Sequence, residues 1–359
     1  MLKHMKVKGY KSIKDMELEL RPLNVFIGAN GSGKSNLISL FYLIDRIIEN
    51  RLQLYVSQSG GADSLLYFGQ KITDEVSVQL DFEENGYGFT LVPTRENTLT
   101  FSDEKYFEKT GVKETKIAHL GSGQKESRLL DETRKKTGAA AARVLDTMKS
   151  WKVYHFHDTS DSSKVKQPGN INDNFALRPD ASNLAAFLFY LKKVHPQNHQ
   201  NIVDTVGLAA PFFDDFILRP SPHNSEFIQL EWREKETDTY FNAHSFSDGT
   251  LRFICLVTLL LQRDLPSLLL VDEPELGLHP YAITLLAGLL RSAATRTQVI
   301  VATQSVTLVN QLAPEDIIVV DRHKKQSLFR RLDKEDISNW LEEYGLGDLW
   351  EKNIFGGRP

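Results

Sequence analysis

Polar and apolar residues alternate over residues 2–20 on either side of Gly9-Tyr10-Lys11-Ser12, which predicts two short strands joined as a hairpin. Residues 23–28 (Leu-Asn-Val-Phe-Ile-Gly) form a compact apolar run closed by glycine, the pattern of a buried strand. A Gly-rich loop follows. Then Leu37, Leu40, Phe41, Leu43, Ile44, Ile47 and Ile48 recur at helical spacing. The texture changes over 51–239. Residues 76–82 alternate strictly and predict a strand, with another near 89–92. Residues 103–152 are dense in charge, with more basic than acidic side chains, and read as a solvated face. A helix is expected from 138 to about 151, a loop over 161–174, and helices over 183–194 and 202–213. From 245 onward the order is helix (249–262), strand (267–271), helix (280–292), strand (298–302), helix (306–312), strand (317–321). Strands alternating with helices predict an α/β fold around a mostly parallel, twisted sheet. The expected organisation is a core from 1–50 plus 240–330, a long inserted α+β and helical region at 51–239, and a C-terminal tail at 331–359. Sustained heptads are absent, so no long coiled-coil arm is encoded.

The strand–loop–helix unit carries Gly28-Ala29-Asn30-Gly31-Ser32-Gly33-Lys34-Ser35, which fits the P-loop pattern G-x-x-x-x-G-K-[ST]. Its glycines let the backbone turn so that consecutive N–H groups face phosphate oxygens, and the following helix adds its positive end. Asn30, Gly31, Ser32, Gly33, Lys34, Ser35 and Asn36 are therefore the candidate phosphate cradle. Lys34 is expected to neutralise the β- and γ-phosphates of ATP and Ser35 to place its hydroxyl on Mg²⁺. Leu268-Leu269-Leu270-Val271-Asp272-Glu273 has the Walker B pattern, a buried strand delivering carboxylates at its C-terminal end. Asp272 is the candidate metal ligand, and Glu273 the candidate base that polarises the attacking water.

Three further segments fix the class. Ser247-Asp248-Gly249-Thr250 precedes the acidic strand and stands at the start of a helix, where Ser247 and free N–H groups make an anion site. Pro274-Glu275-Leu276-Gly277-Leu278-His279-Pro280 follows Glu273 directly, and Ala302-Thr303-Gln304-Ser305 closes the strand at 298–302. Together these resemble the signature, D-loop and switch of ABC-class ATPases in the RecF, SMC and Rad50 branch, with Asp248 and Thr250 departing from the usual LSGGQ and Gln304 standing where histidine is usual. Tyr10-Lys11-Ser12-Ile13 resembles the aromatic–basic–Ser opening of the same chains and puts Lys11 and Ser12 near the nucleotide. Residues 349–359 are similar to the tail of a group of bacterial AAA-type, RecF-like ATPases. The resemblance implies a P-loop NTPase of ABC type with ATP and Mg²⁺ as cofactors and Gln304 as the γ-phosphate switch. It also implies a homodimer or higher oligomer with composite ATP sites, in which Ser247, Asp248 and Gly249 of one chain cap the nucleotide on another. Gln70, after Phe68-Gly69, is the candidate for the metal-contacting Q-loop position.

Composition narrows the partners. A net charge of −4 gives no overall basic field, so DNA contact would need a local patch among the basic residues of 105–152. One reading is a DNA-linked role in repair or antiphage defence. The alternative is a regulatory ATPase that holds and releases a protein effector encoded nearby, such as a nuclease or toxin. An ABC transporter motor fits less well, because of the insertion and the Ser-Asp-Gly-Thr signature. The single cysteine, Cys255, lies in an apolar run and reads as a core residue. The N-terminus has charge throughout and no apolar run reaches the roughly 20 residues of a membrane span, so a soluble, cytoplasmic protein without membrane partners is expected.

Overall fold

The computed structural model describes residues 1–109, 115–136, 138–237, 239–337, 340 and 343–358. Parts of two segments singled out above, 103–152 and 331–359, therefore lie outside the described residues. The chain forms two compact units. One is Met1–Trp151 with Ala313–Pro359, the other Lys152–Leu312.

The first unit opens with the expected hairpin, Leu2–Tyr10 against Ile13–Glu19, with Tyr10 opposite Ile13. It extends into a six-stranded antiparallel sheet through Val76–Phe82, Asn85–Pro93, Leu99–Lys109 and Thr115–Gly121. In Val76–Phe82 alternate residues are buried, as the period-2 pattern requires. Leu99–Lys109 and Thr115–Gly121 correct the reading of the charged stretch as only a solvated face. Phe101, Tyr106 and Phe107 are buried there, while Thr115–Gly121 is the mostly exposed edge, where charge hinders edge-to-edge pairing. Glu104 is fully buried among them. It accepts from Tyr87 Oη (2.7 Å), Ser127 Oγ (2.5 Å), Gln124 Nε2 (3.0 Å) and the Arg128 N–H (3.0 Å), so the buried charge has four donors. A second layer in this unit pairs Leu23–Ile27 in parallel with Ile317–His323, to which Gln326–Arg331 adds antiparallel. All five residues of Leu23–Ile27 are buried. The helix Lys34–Ile48 follows the P-loop, and its Phe41 ring meets Trp151, which also meets Phe82 of the antiparallel sheet (centroids 5.7 and 5.9 Å).

In the second unit Leu268–Asp272 pairs in parallel with Gln298–Thr303, Asp272 lying opposite Ala302. The helix Asp248–Leu261 has Leu251 through Leu260 buried on every side. Cys255 is among them, and burial pushes its thiol pKa up to about 12, so it is a core residue and not a nucleophile. A three-stranded antiparallel sheet (Phe213–Ile217, Glu231–Glu234, Tyr240–Asn242) carries an aromatic stack. Trp232 lies on Phe246 at 4.5 Å and 17° and on Phe241 at 5.0 Å. Phe246 immediately precedes Ser247, so this stack anchors the start of the signature helix. Two expected helices are corrected. The one placed at 202–213 is Pro196–Ala209, with Pro196 at its first position, and Phe213 begins a strand. The one placed at 306–312 is only Val306–Val309. Among the described residues no helix is long and apolar enough to cross a membrane.

Candidate functional site

The first unit builds the phosphate loop. Gly28, Gly31 and Gly33 all have positive φ (157°, 75° and 119°). At Gly33 the turn also needs the absence of a side chain, because a Cβ there would lie 2.0 Å from Ser327 Oγ. Ser327 is buried. Its hydroxyl donates to Ser32 O (2.5 Å) and meets Ser12 Oγ (2.7 Å), which in turn accepts from Asn36 Nδ2 (2.7 Å). Ser12 and Asn36 thus buttress the loop from behind. The Lys34 side chain is buried and curls back, its ammonium donating to Gly28 O and to Ala29 O (3.1 Å). Ser35 is exposed in the first turn of the helix, and Arg322 Nη1 donates to Gly31 O (3.1 Å). The buried Ser32 Oγ lacks a hydrogen-bond partner. A turn of left-handed glycines, an ammonium and an unpartnered buried hydroxyl suit phosphate oxygens, so the residues fit the triphosphate of ATP.

Lys11 takes a left-handed backbone (φ 49°), with its ammonium 5.6 Å from the Tyr10 ring centre; burial lowers its pKa. Gln70 is tied into a separate polar cluster. Its Nε2 donates to Asn97 Oδ1 (2.8 Å) and its N–H to Asp63 Oδ1 (2.9 Å).

The second unit builds the acidic strand end. Glu273 leaves the strand with φ 41°, an unfavourable conformation for a residue with a side chain, and its N–H donates to Ala302 O (2.8 Å). Such strain is retained where the surroundings require it, and here it aims the carboxylate across to the end of the neighbouring strand. There Gln304 Nε2 donates to Glu273 Oε1 (2.5 Å). Glu275 Oε1 accepts from Thr303 Oγ1 (2.6 Å) and from the Gln304 N–H (3.1 Å). Burial raises the Glu275 pKa, and its Oε2 is a buried atom without a partner. Glu273 and Gln304, separated by 31 positions, are thus brought into direct contact.

Ser247 caps the helix Asp248–Leu261, its Oγ accepting from the Thr250 N–H (3.1 Å). Asp248 lies 3.8 Å from the buried Lys166 ammonium. Gly249 packs directly on the D-loop, where a Cβ would come 2.2 Å from Gly277 O. Sequence reasoning missed Arg252, one turn further on. Its buried guanidinium donates from Nε to Phe156 O (2.8 Å), from Nη2 to His157 O (3.2 Å) and from Nη1 to Leu276 O. Arg252→Met is expected to leave three carbonyls without donors and lower the unfolding free energy by about 3 kcal/mol, read as a lower urea midpoint. His155 and His157 were also missed, although their i, i+2 spacing was visible. They stand beside Asp272, and burial followed by the His157 charge lowers the His155 pKa.

The model of the family described as "AAA domain, putative AbiEii toxin, Type IV TA system" matches residues 23–310. Comparison with curated proteins gives no match. Among solved structures, an SMC head bound to the C-winged helix domain of ScpA is similar at TM-score 0.61 and 16% identity, covering 94% of this chain and 99% of that one. An Smc head domain with an extended coiled coil, bound to the C-terminal domain of ScpA and derived from Pyrococcus furiosus, is similar at TM-score 0.54 and 17% identity, covering 95% and 98%. At these identities the likeness speaks for the fold, and the motifs described above supply the class. The chain belongs to the family described as "AAA domain, putative AbiEii toxin, Type IV TA system" and is an ATPase-family protein of the SMC- and RecF-like ABC class, with the α/β P-loop fold of SMC heads.

Proposed function

We propose that the protein binds and hydrolyses ATP as an ATP-gated, head-to-tail dimer. The observation that carries this reading is the phosphate loop, where left-handed glycines, the Lys34 ammonium and the unpartnered Ser32 hydroxyl converge. In this reading Lys34 exchanges its loop carbonyls for the β- and γ-phosphates when ATP binds. Magnesium, bound with the Ser35 hydroxyl and the Asp272 carboxylate, would supply charge neutralisation on the same phosphates. Glu273 accepts a proton from the attacking water, and the Gln304 amide fixes the rotation of its carboxylate. Gln304 stays neutral where an imidazole could become cationic. Lys11 stands near the nucleotide by resemblance, and Gln70, after Phe68-Gly69, is the candidate for the Q-loop position. Ser247, Asp248 and Gly249 cap the nucleotide held by a second copy, using the open end of the 14-residue signature helix. The γ-phosphate then belongs to the interface, and hydrolysis opens it.

The clamp's object is proposed as DNA, in repair or antiphage defence. The second reading, control of a protein effector, draws support from the toxin and TA-system wording of the family and from SMC heads seen bound to ScpA domains. Steady-state ATPase rate per subunit, measured against protein concentration with and without duplex DNA, tests these points. The composite dimer predicts a rate that rises with concentration, and the DNA reading predicts further stimulation by duplex. A rate independent of concentration would sink the dimer mechanism, and one indifferent to DNA would favour the effector.

A further inference from the structure

The segment after Trp151 runs Lys-Val-Tyr-His-Phe-His-Asp, and His155-Phe156-His157 directly continues the strand Trp151–Tyr154. Phe156 between them is buried, and the His155 and His157 rings lie beside each other, with ring centroids 5.8 Å apart. One ligand atom from each histidine and one carboxylate oxygen of Asp272 lie within 4.8 Å of one another. Two tetrahedral ligands about 2.05 Å from one ion are about 3.3 Å apart, so the three ligand atoms need to approach by no more than about 1.5 Å to share one ion.

The backbone that presents the two rings is held at three points. The His155 N–H donates to Pro179 O (2.9 Å), and Arg252 donates to Phe156 O (2.8 Å) and His157 O (3.2 Å). A fixed backbone lowers the entropy cost of bringing the rings onto one ion, as outer hydrogen bonds do in metal sites generally.

We propose that His155, His157 and Asp272 form a binding site for one d-block divalent cation of the Mn²⁺, Co²⁺ or Zn²⁺ type. Two imidazoles and one carboxylate suit these ions, whereas Mg²⁺ prefers an all-oxygen octahedron. The site shares Asp272 with the magnesium position of the proposed function but does not depend on nucleotide binding. A cation held by the histidines draws Asp272 away from Mg²⁺·ATP, which makes the acidic strand end sensitive to the cell's transition-metal level.

The test uses the untagged, metal-stripped full chain and Mn²⁺ without nucleotide. The spin echo of bound Mn²⁺ is expected to carry ¹⁴N modulation from imidazole at one ion per chain. His155→Asn and His157→Asn are each expected to weaken Mn²⁺ binding by about tenfold or more. No bound Mn²⁺, bound Mn²⁺ without nitrogen modulation, or undiminished affinity in both variants overturns the proposal. Lys34→Ala keeps the Mn²⁺ signal, and ATP retention by the wild type is scored separately, so failure of the nucleotide reading is seen independently.

Discussion

Glu273→Gln is expected to bind ATP, accumulate as a dimer and hydrolyse about 10²–10³-fold more slowly than the wild type. The substitution keeps the shape and an oxygen that still accepts from Gln304 Nε2, so the strained turn at φ 41° keeps its partner. What it removes is the basic carboxylate. Because the fault lies after nucleotide binding, a binding-competent but trapped state is the distinctive outcome. Single-turnover hydrolysis with size-exclusion chromatography in ATP reads both halves of the expectation. Normal turnover in this variant would mean that another group activates the water and that the strain at Glu273 serves the fold alone.

Lys34→Ala is expected to fail one step earlier. The ammonium is buried against the carbonyls of Gly28 and Ala29, already at the mouth of the loop. Charge-assisted hydrogen bonds contribute about 1.5–3 kcal/mol each. Losing two, one on each of two phosphates, corresponds to about 10²–10⁴-fold in ATP affinity. Equilibrium binding of a labelled ATP analogue measures it. The same variant also leaves two loop carbonyls without their donor, so a melting curve without nucleotide is needed beside it. An affinity within about threefold of wild type would remove Lys34 from phosphate binding.

The contiguous motifs were legible because their chemistry is local. A P-loop needs its glycines, lysine and serine within eight consecutive positions, and the acidic strand needs its aliphatic run directly before Asp272. The hairpin, the strand at 76–82 and, to within two residues, the helices Asp248–Leu261 and Pro280–Ala294 followed from periodicity, whereas the helix after Gln304 ends three residues sooner than expected. Leu99–Lys109 and Thr115–Gly121 did not, because charged residues occupy their outward positions and Glu104 also takes a buried one, which masks the period-2 pattern. The long-range supports were invisible for a different reason. Ser327 reaches the P-loop across 295 positions, and Arg252 reaches Phe156 across 96. A lone serine in a strand, or an arginine in an apolar helix, carries no local sign of its partner. The contact between Gln304 and Glu273 was half legible, since each residue was singled out but not their pairing.

The Arg252 guanidinium has a consequence for how this unit can change its sequence. It is a rigid planar group whose donors point in fixed directions. Here they serve the 156–157 backbone and the D-loop carbonyl of Leu276, while its own helix start packs Gly249 against Gly277. A residue inserted into or deleted from the D-loop would move Leu276 O and Gly277 O off their marks, and the same arginine would lose its hold on the histidine-bearing segment. Loop length, ordinarily the most freely varied property of a protein surface, is therefore fixed here by a side chain outside the loop, and a change of length in one segment demands a compensating change in the other two.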